Sequence, residues 1–172
     1  MASTLTVDNI VGATTAANVK LPAGGIVNYA LAEYSIGTGG SQSYTSTSYT
    51  DITGATITYT PKYSGSKCLI NFNLYGRFFV QTGGDLDGYF RTHLAGSASK
   101  EYRVVGDNLG KLGDSIYFPM FINIADEYTT TGTSAVTFKL QTKAASSNYY
   151  FQVPHHSDNQ AHHTITVMEI AQ

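Results

Sequence analysis

From Ile26 to Gln172 the chain consists of short runs in which apolar and polar residues alternate, separated by Gly, Ser, Thr and Asn. A period of two puts successive side chains on opposite faces of a strand, so each run can bury one face and expose the other. No segment of the sequence has the 3.6-residue periodicity of an amphipathic helix. The pattern therefore predicts that this part of the chain is all-β.

Turn residues divide this region into about eight to ten candidate strands, counting neighbouring short runs together. The candidate runs are Ile26 to Tyr34, Ser43 to Thr45, Thr50 to Ile52, Ala55 to Thr60, Lys67 to Val80, Gly88 to Leu94, Glu101 to Val105, Ser115 to Ile124, Thr133 to Thr142, Asn148 to Val153 and His163 to Ala171. Gly76 is expected to form a bulge, and Pro119 to lie at a sheet edge or a bulge, because proline cannot donate to a ladder. Short strands of this number and spacing predict a β-sandwich or a jelly roll.

Residues 1–25 differ from the rest because they are small and β-branched and contain a break at Pro22-Ala23-Gly24-Gly25. They lack the apolar content for a core, so we expect an extended attachment arm in front of a head domain, residues 26–172. At ~3.3 Å per residue the arm would span roughly 80 Å, against a radius of gyration of about 16 Å for the head. It could therefore reach another subunit. The apolar residues expected to make those contacts are Leu5, Val7, Ile10, Val11, Val19 and Leu21.

The chain is poor in charge, with 13% charged residues and a formal net charge of −2. That fraction is about half of the ~25% usual in soluble domains, and a surface so poor in charge is typically partly covered. Nucleic acid is not an expected partner, because binding it requires Lys and Arg clustered on one face. No run approaches 18 apolar residues, so no membrane-spanning helix is expected, and neither is a standard signal peptide.

Three segments near the two ends of the chain form a recognisable set: Ser3 to Ile10, Val19 to Gly25 and the closing Thr166 to Ala171. They resemble segments of small structural proteins of tailed bacteriophages, and Gly40 to Lys67 is similar to the jelly-roll head of that group. The resemblance implies a homotrimer on the virion surface. Combined with the strand pattern, it predicts an antiparallel jelly-roll β-sandwich of about eight to ten strands with an extended N-terminal arm.

Two virion roles fit the resemblance. A long fibre needs a heptad run or a repetitive β-shaft, and the sequence has neither periodicity. An arm followed directly by a globular head favours a capsid decoration or cement protein, which binds the major capsid protein through its arm and trimerises through its head. The alternative is a short tail fibre, with its arm on a tail adaptor and loops such as 37–48, 82–88 or 154–163 on a host surface glycan.

One cluster of possible metal ligands lies around a predicted hairpin loop, and its members are His155, His156, His162 and His163. Imidazole suits Zn²⁺ and Ni²⁺, either within one chain or on a threefold axis. Adjacent residues of a strand point to opposite faces, however, so at most one histidine of each pair could join a given site. A solvated loop is the favoured interpretation, and we expect no cofactor.

The sequence offers little for catalysis. It has no G-x-S-x-G, H-E-x-x-H, P-loop or G-x-G-x-x-G motif. The segment Asp85 to Gly88 resembles only the beginning of a calcium loop, so a plain turn is favoured there. The acidic residues Asp85, Asp87, Glu101, Asp107 and Asp114 are scattered through turn-rich sequence, with no pairing of the kind that glycoside hydrolysis needs. We therefore predict that the protein is not an enzyme.

Overall fold

The structure, a computed structural model, describes residues 24–34, 42–80, 86–106, 116–146, 149–153 and 163–172. Within these ranges the chain forms strands and no helix, which confirms the predicted all-β class. The strands are β1 (Ile26–Tyr34), β2 (Gln42–Tyr44), β3 (Thr50–Tyr59), β4 (Lys67–Val80), β5 (Leu86–Leu94), β6 (Ser97–Gly106), β7 (Ile116–Thr129), β8 (Val136–Ala144), β9 (Tyr149–Val153) and β10 (His163–Ile170). The described residues thus include no helix with the length and hydrophobicity to cross a membrane.

The agreement with the predicted strands is closest where alternation is unbroken. β1 and β4 have the predicted bounds. The two short runs predicted between Thr50 and Thr60 are one strand, β3, whose pairing with β8 shifts near Gly54, a residue with φ of 81°. β6 was expected to be short but has 10 residues, and β7 has 14, because antiparallel pairing with β5 and β4 extends both.

The strands pair in a nested order. β1 pairs with β10, β2 with β9, β3 with β8, β4 with β7, and β5 with β6, all antiparallel. Further ladders join β4 to β10 and to β9, and β5 to β8. The ladders form two sheets: sheet A, with the order β1-β10-β4-β9-β2 and β7 along the other side of β4, and sheet B, with the order β3-β8-β5-β6. The described chain is therefore a long hairpin doubled over into two sheets.

Alternate residues of both sheets meet in one core. Every second residue of β4 from Cys68 to Val80 is buried, as predicted for Cys68, and β8 buries Phe138 and Leu140 on the predicted parity. Three rings join the sheets, because Phe90 of sheet B lies 5.9 Å from Phe78 and 5.0 Å from Phe151, measured between centroids. Burying a ring of this size contributes about 2–3 kcal/mol. The core thus fixes which face of each sheet points outward.

Gly76 does not form the predicted bulge. The ladder between β4 and β7 runs from Lys67 to Val80 without a shift in register, and Gly76 falls on the buried parity. The space beside it is filled by the ring of Phe151 from β9. Glycine is needed here because a neighbouring strand approaches closely, and the residues around Gly76 in sequence do not reveal that approach.

The edges of the two sheets are tied together on one side. Among the described strands β7 pairs with β4 alone, which confirms the expected edge position of Pro119. The Tyr102 hydroxyl of β6 donates a hydrogen bond to the Ala125 carbonyl of β7 at 2.9 Å. Lys100, which lies in a bulge of the β5–β6 ladder, places Nζ 3.0 Å from Oδ1 of Asp126. These contacts hold the outer face of sheet A in a fixed position relative to sheet B.

Candidate interaction surface

The outer face of sheet B is charged, and its charged side chains pair with one another. The Lys139 ammonium lies 2.7 Å from the Asp51 carboxylate, and Arg103 makes two hydrogen bonds of 2.9 Å to Asp87. The guanidinium of Arg91 also lies 4.0 Å from the ring centroid of Tyr49. Exposed ion pairs of this kind contribute little stability but suit a surface that faces water. Sheet B therefore presents an ordinary solvated face.

The outer face of sheet A is apolar by comparison. The large apolar side chains exposed on it are Ile26, Tyr29, Leu31, Tyr117 and Phe121. By contrast, Val105 is the one large apolar side chain exposed on the outer face of sheet B among the described residues. Contiguous exposed apolar surface marks interaction sites, whereas scattered apolar residues are normal. The outer face of sheet A is therefore the candidate interaction surface, with Ile26, Tyr29 and Leu31 along its β1 edge and Tyr117 and Phe121 along its β7 edge.

At one half of this face, aromatic rings form what we call the aromatic platform, made of Tyr75, Phe79, Tyr117, Phe121 and Tyr150. The strand register places Phe121 beside Tyr75 and puts Tyr117, Phe79 and Tyr150 in one row across β7, β4 and β9. Ring centroids in these contacts are 4.8 to 5.1 Å apart. Such distances are typical of favourable aromatic pairs. The rings therefore form two rows on the same outer face, one of Tyr75 and Phe121 and one of Tyr117, Phe79 and Tyr150.

Arg77 lies within the aromatic platform, between its two rows. Its guanidinium is 4.1 Å from the Tyr117 ring centroid, and its Nε donates to Oε1 of Gln152 at 2.6 Å. Gln152 in turn donates from Nε2 to the Ser43 hydroxyl at 2.8 Å. Because the charge is already engaged by a ring and an amide, the platform can be covered without leaving a bare cation.

Phe121 is the most exposed of these rings, with 85% of its surface open to solvent. It lies on the edge strand β7 and projects from the sheet. A phenyl ring can make no hydrogen bond to water, so full exposure forgoes about 2 kcal/mol or more of burial free energy. The position fits a residue that is buried by a partner.

A cleft of about 300 Å³ opens beside the aromatic platform, across β10, β4 and β7. The residues that line it are Leu69, Ile70, Asn71, Lys100, Ala125, Asp126, Glu127 and Met168. The amide oxygen Oδ1 of Asn71 is buried and has no hydrogen-bond partner among the described residues. A buried acceptor without a donor costs about 1–3 kcal/mol.

One buried carboxylate, Glu169, holds the opposite end of the sandwich. Its side chain is fully buried and accepts hydrogen bonds from the Tyr59 hydroxyl at 2.7 Å, the Lys62 amide at 2.7 Å, the Tyr63 amide at 2.9 Å and the Ser66 hydroxyl. Burial raises the pKa of the Glu169 carboxyl, but these donors outweigh it and the pKa lies below its ordinary value. The group is a structural anchor for the turn before β4.

A second buried carboxylate, Asp126, accepts hydrogen bonds from the Thr92 hydroxyl and, at 2.8 Å, from the Glu127 amide, in addition to its contact with Lys100. Burial raises the pKa of the Asp126 carboxyl, but the hydrogen bonds from these donors outweigh burial, so that the pKa lies below its usual range. The sequence analysis did not predict that Glu169 and Asp126 are buried. The available signal was parity, since Asp126 falls on the buried side with Ile122 and Ile124.

The predicted histidine cluster is placed only in part. His155, His156 and His162 lie outside the described residues, as do Leu5, Val7, Ile10, Val11, Val19 and Leu21 of the arm. His163 is buried at the start of β10, where its Nδ1 accepts a hydrogen bond from the Tyr75 amide at 3.1 Å. The described ranges contain no group of three or more His, Cys, Asp or Glu side chains suited to a metal. The metal site stays a prediction.

The acidic residues considered as possible calcium ligands or catalytic groups lie partly in strands and partly outside the described residues. Asp85 lies outside the described residues, but the stretch from Leu86 to Gly88 begins strand β5 and is not the turn we expected. It is a strand because Leu86, Asp87 and Gly88 pair with the end of β6. Glu101 accepts a hydrogen bond from the Tyr49 hydroxyl and lies 3.9 Å from Lys143. Asp107 and Asp114 lie outside the described residues.

No protein-family model matches the chain, and no curated protein matches it. Solved structures with some similarity include the insecticidal delta-endotoxin Cry8Ea1 from Bacillus thuringiensis, at 12% identity and a TM-score of 0.40 over 76% of this chain and 19% of that one. Dimeric latent PorU from Porphyromonas gingivalis has 9% identity and a TM-score of 0.43 over 88% of this chain and 14% of that one. This chain thus spans less than a fifth of either protein. Similarities this weak bear on neither its fold nor its function.

Proposed function

We propose that the protein is a structural component of a tailed-phage virion, a capsid decoration or cement protein without catalytic activity. Its arm binds the major capsid protein, its head forms a homotrimer, and the assembled particle carries it on the virion surface. The observation that supports this best is the contrast between the two outer faces of the head. A charged, self-paired face opposite an aromatic one suits a subunit that is covered on one side and faces water on the other.

The nested strand pairing supports a jelly roll as the fold of the head. In a jelly roll a long antiparallel hairpin is rolled so that its two halves contribute strands to both of the packed sheets. Pairing of β1 with β10, continuing inward to β5 with β6, has this connectivity. The same fold is what the resemblance to phage structural proteins implies. It also leaves β7 of sheet A at an exposed edge, which a neighbouring subunit would protect.

The engagement of the described carboxylates supports a role without chemistry. Asp126 and Glu169 are buried and hydrogen-bonded to donors that hold strands and a turn in place. Asp51 and Asp87 are held by cations on the outer face of sheet B. Groups committed in this way stabilise the fold, whereas catalytic carboxylates must face a substrate within a groove.

The test of the decoration role is removal of the arm. Deleting Met1 to Lys20 should leave a folded, trimeric head, since the described strands begin after Gly25, while binding to purified capsid shells should be lost. Three arms per trimer bind at a high effective concentration, so the loss should be steep. A truncated protein that still occupies shells as fully as the intact chain would refute the role of the arm.

A short tail fibre that binds host glycan is the second candidate. The aromatic platform favours it to some extent, because tyrosine rings flanked by Arg77 and Gln152 combine stacking surface with hydrogen-bond donors, as sugar-binding sites do. Quantitative mass spectrometry of intact particles separates the two roles. Copies in proportion to capsid subunits indicate decoration, whereas a few copies that match the symmetry of the tail indicate an appendage.

A further inference from the structure

We infer that heads associate by seating Phe121 of one copy in the cleft lined by Leu69, Ala125 and Met168 of a second copy. This inference rests on the proposed homotrimer and names the contact that would form it. Both parts of the contact lie on the outer face of sheet A. Phe121 and Ala125 are four residues apart on β7, so the ring and the cleft are separated by about 14 Å along the strand.

The ring and the cleft are complementary in size and polarity. Phe121 is 85% exposed, and the cleft beside it has a volume of about 300 Å³. An apolar cavity of about 150 Å³ is enough to bind benzene, so a phenyl ring fits with room for its neighbours. The lining combines the apolar side chains of Leu69, Ala125 and Met168 with the polar ones of Asn71, Lys100, Asp126 and Glu127. Because Lys100 and Asp126 already pair with each other at 3.0 Å, a ring seated against the apolar side chains leaves that pair in place.

The area of the face also matches what a stable association needs. β4 has 14 residues, which at ~3.4 Å each gives a length of about 47 Å. Four strand positions across sheet A, at ~4.8 Å each, give a width of about 19 Å. The product is about 900 Å², close to the ~800 Å² per partner of a standard protein interface. A single small ligand would leave most of this surface exposed, whereas the neighbouring copies of an oligomer would cover it.

Charge favours a like copy as well. Arg77 is engaged by Tyr117 and Gln152, and Glu127, which lines the cleft, pairs with Lys67 at 3.2 Å. These charges are engaged within their own face, so a contact between two faces does not have to supply partners for them. Because the Phe121 ring and the cleft are different structures, each contact is directional. A repeated head-to-tail contact closes into a trimer where successive copies are related by a third of a turn, and it otherwise continues as an open filament.

The experiment uses three variants of the full chain and measures mass by analytical ultracentrifugation over a range of concentrations. Phe121→Ser removes the ring, Ala125→Trp fills the cleft, and Val105→Ser is the control, since Val105 is exposed on sheet B. Phe121→Ser and Ala125→Trp should each raise the dissociation constant for association between copies at least ~30-fold, as loss of an aromatic hot spot does. The control should behave like the natural chain. Thermal unfolding checks that all three fold.

Mixing the two defective variants makes the test specific. Phe121→Ser retains the cleft and Ala125→Trp retains the ring, so an equal mixture should form a heterodimer through one intact contact, while neither variant associates alone. If the mixture stays monomeric, or if both variants keep the natural mass, the inference is wrong. If the natural chain has the mass of a dimer and the mixture still associates, the contact is correct but the proposed trimer is wrong. Failure of the inferred contact can therefore be told apart from failure of the proposed trimer.

Discussion

The ring of Phe151 occupies the space that a side chain at Gly76 would need, with its Cε2 atom 2.1 Å from the position of a β-carbon there. The same arrangement recurs across the core, where Cε1 of Phe78 lies 2.2 Å from a β-carbon built at Gly88. Two glycines therefore make room for two of the three rings that join the sheets. The stability of the core should therefore be sensitive to any side chain added at Gly76 or Gly88.

Gly76→Ala should destabilise the head, because the added methyl group forces the Phe151 ring out of place. Overpacking of this kind costs about 1–3 kcal/mol, and urea denaturation measures it. The matched control is Gly132→Ala, since a β-carbon at Gly132 meets nothing within 4 Å. Equal stability of the Gly76 variant and the control would show that β9 does not pack as described.

Glu169→Gln should cost about 1–3 kcal/mol at neutral pH, because four donors converge on the carboxylate and an amide nitrogen cannot accept their hydrogen bonds. Glu127→Gln, at an exposed pair, is the control and should change stability by less than ~0.5 kcal/mol. The comparison is made by urea denaturation.

The effect of Glu169 should depend on pH with a definite sign. The pKa of the Glu169 carboxyl is lowered in the folded state, so its contribution is complete above the ordinary pKa of ~4.3 and is lost as the pH falls through the folded value. The stability difference between the natural chain and Glu169→Gln should therefore shrink between about pH 5 and strong acid. A difference that grows in acid contradicts this prediction.

Cys68 should be inert in the folded protein. Burial, and secondarily the negative charge of Glu169, raise the pKa of the Cys68 thiol to about 12. At pH 8 about one thiol in ten thousand is then ionised, and the thiolate is the reactive form. Labelling by a disulfide reagent should follow global unfolding, with the denatured chain as the fast control. Rapid labelling without denaturant would mean that β4 opens locally.

Ala95→Asn should stabilise the β5–β6 hairpin by about 0.5–1 kcal/mol. Ala95 and Gly96 form its two-residue turn, with φ of 50° and 88°. Both angles lie in the left-handed region, which asparagine tolerates better than alanine. Ala98→Asn, the same change within strand β6, is the control and should give no gain. Thermal unfolding measures both.

Part of this architecture follows from local pattern. The alternation of β4 and β8 predicts which of their residues are buried, and it places Cys68 inward beside Ile70, since side-chain direction in a strand depends only on position. The same parity could have identified Glu169 as buried, because it follows Ile165 and Val167 on the inner side of β10. Its donors lie more than 100 residues away in the chain, and the sequence does not pair them.

By itself the sequence determined the all-β class, most strand positions and the inward parity of the central strands, because hydrophobic alternation is a property of neighbouring residues. The tertiary structure decided which strands pair, why Gly76 must lack a side chain, and that Phe121 and the cleft at Ala125 share one outer face. These features arise from contacts between β4, β7, β9 and β10, which lie far apart in the chain. Long-range register, which no local pattern encodes, brings them together.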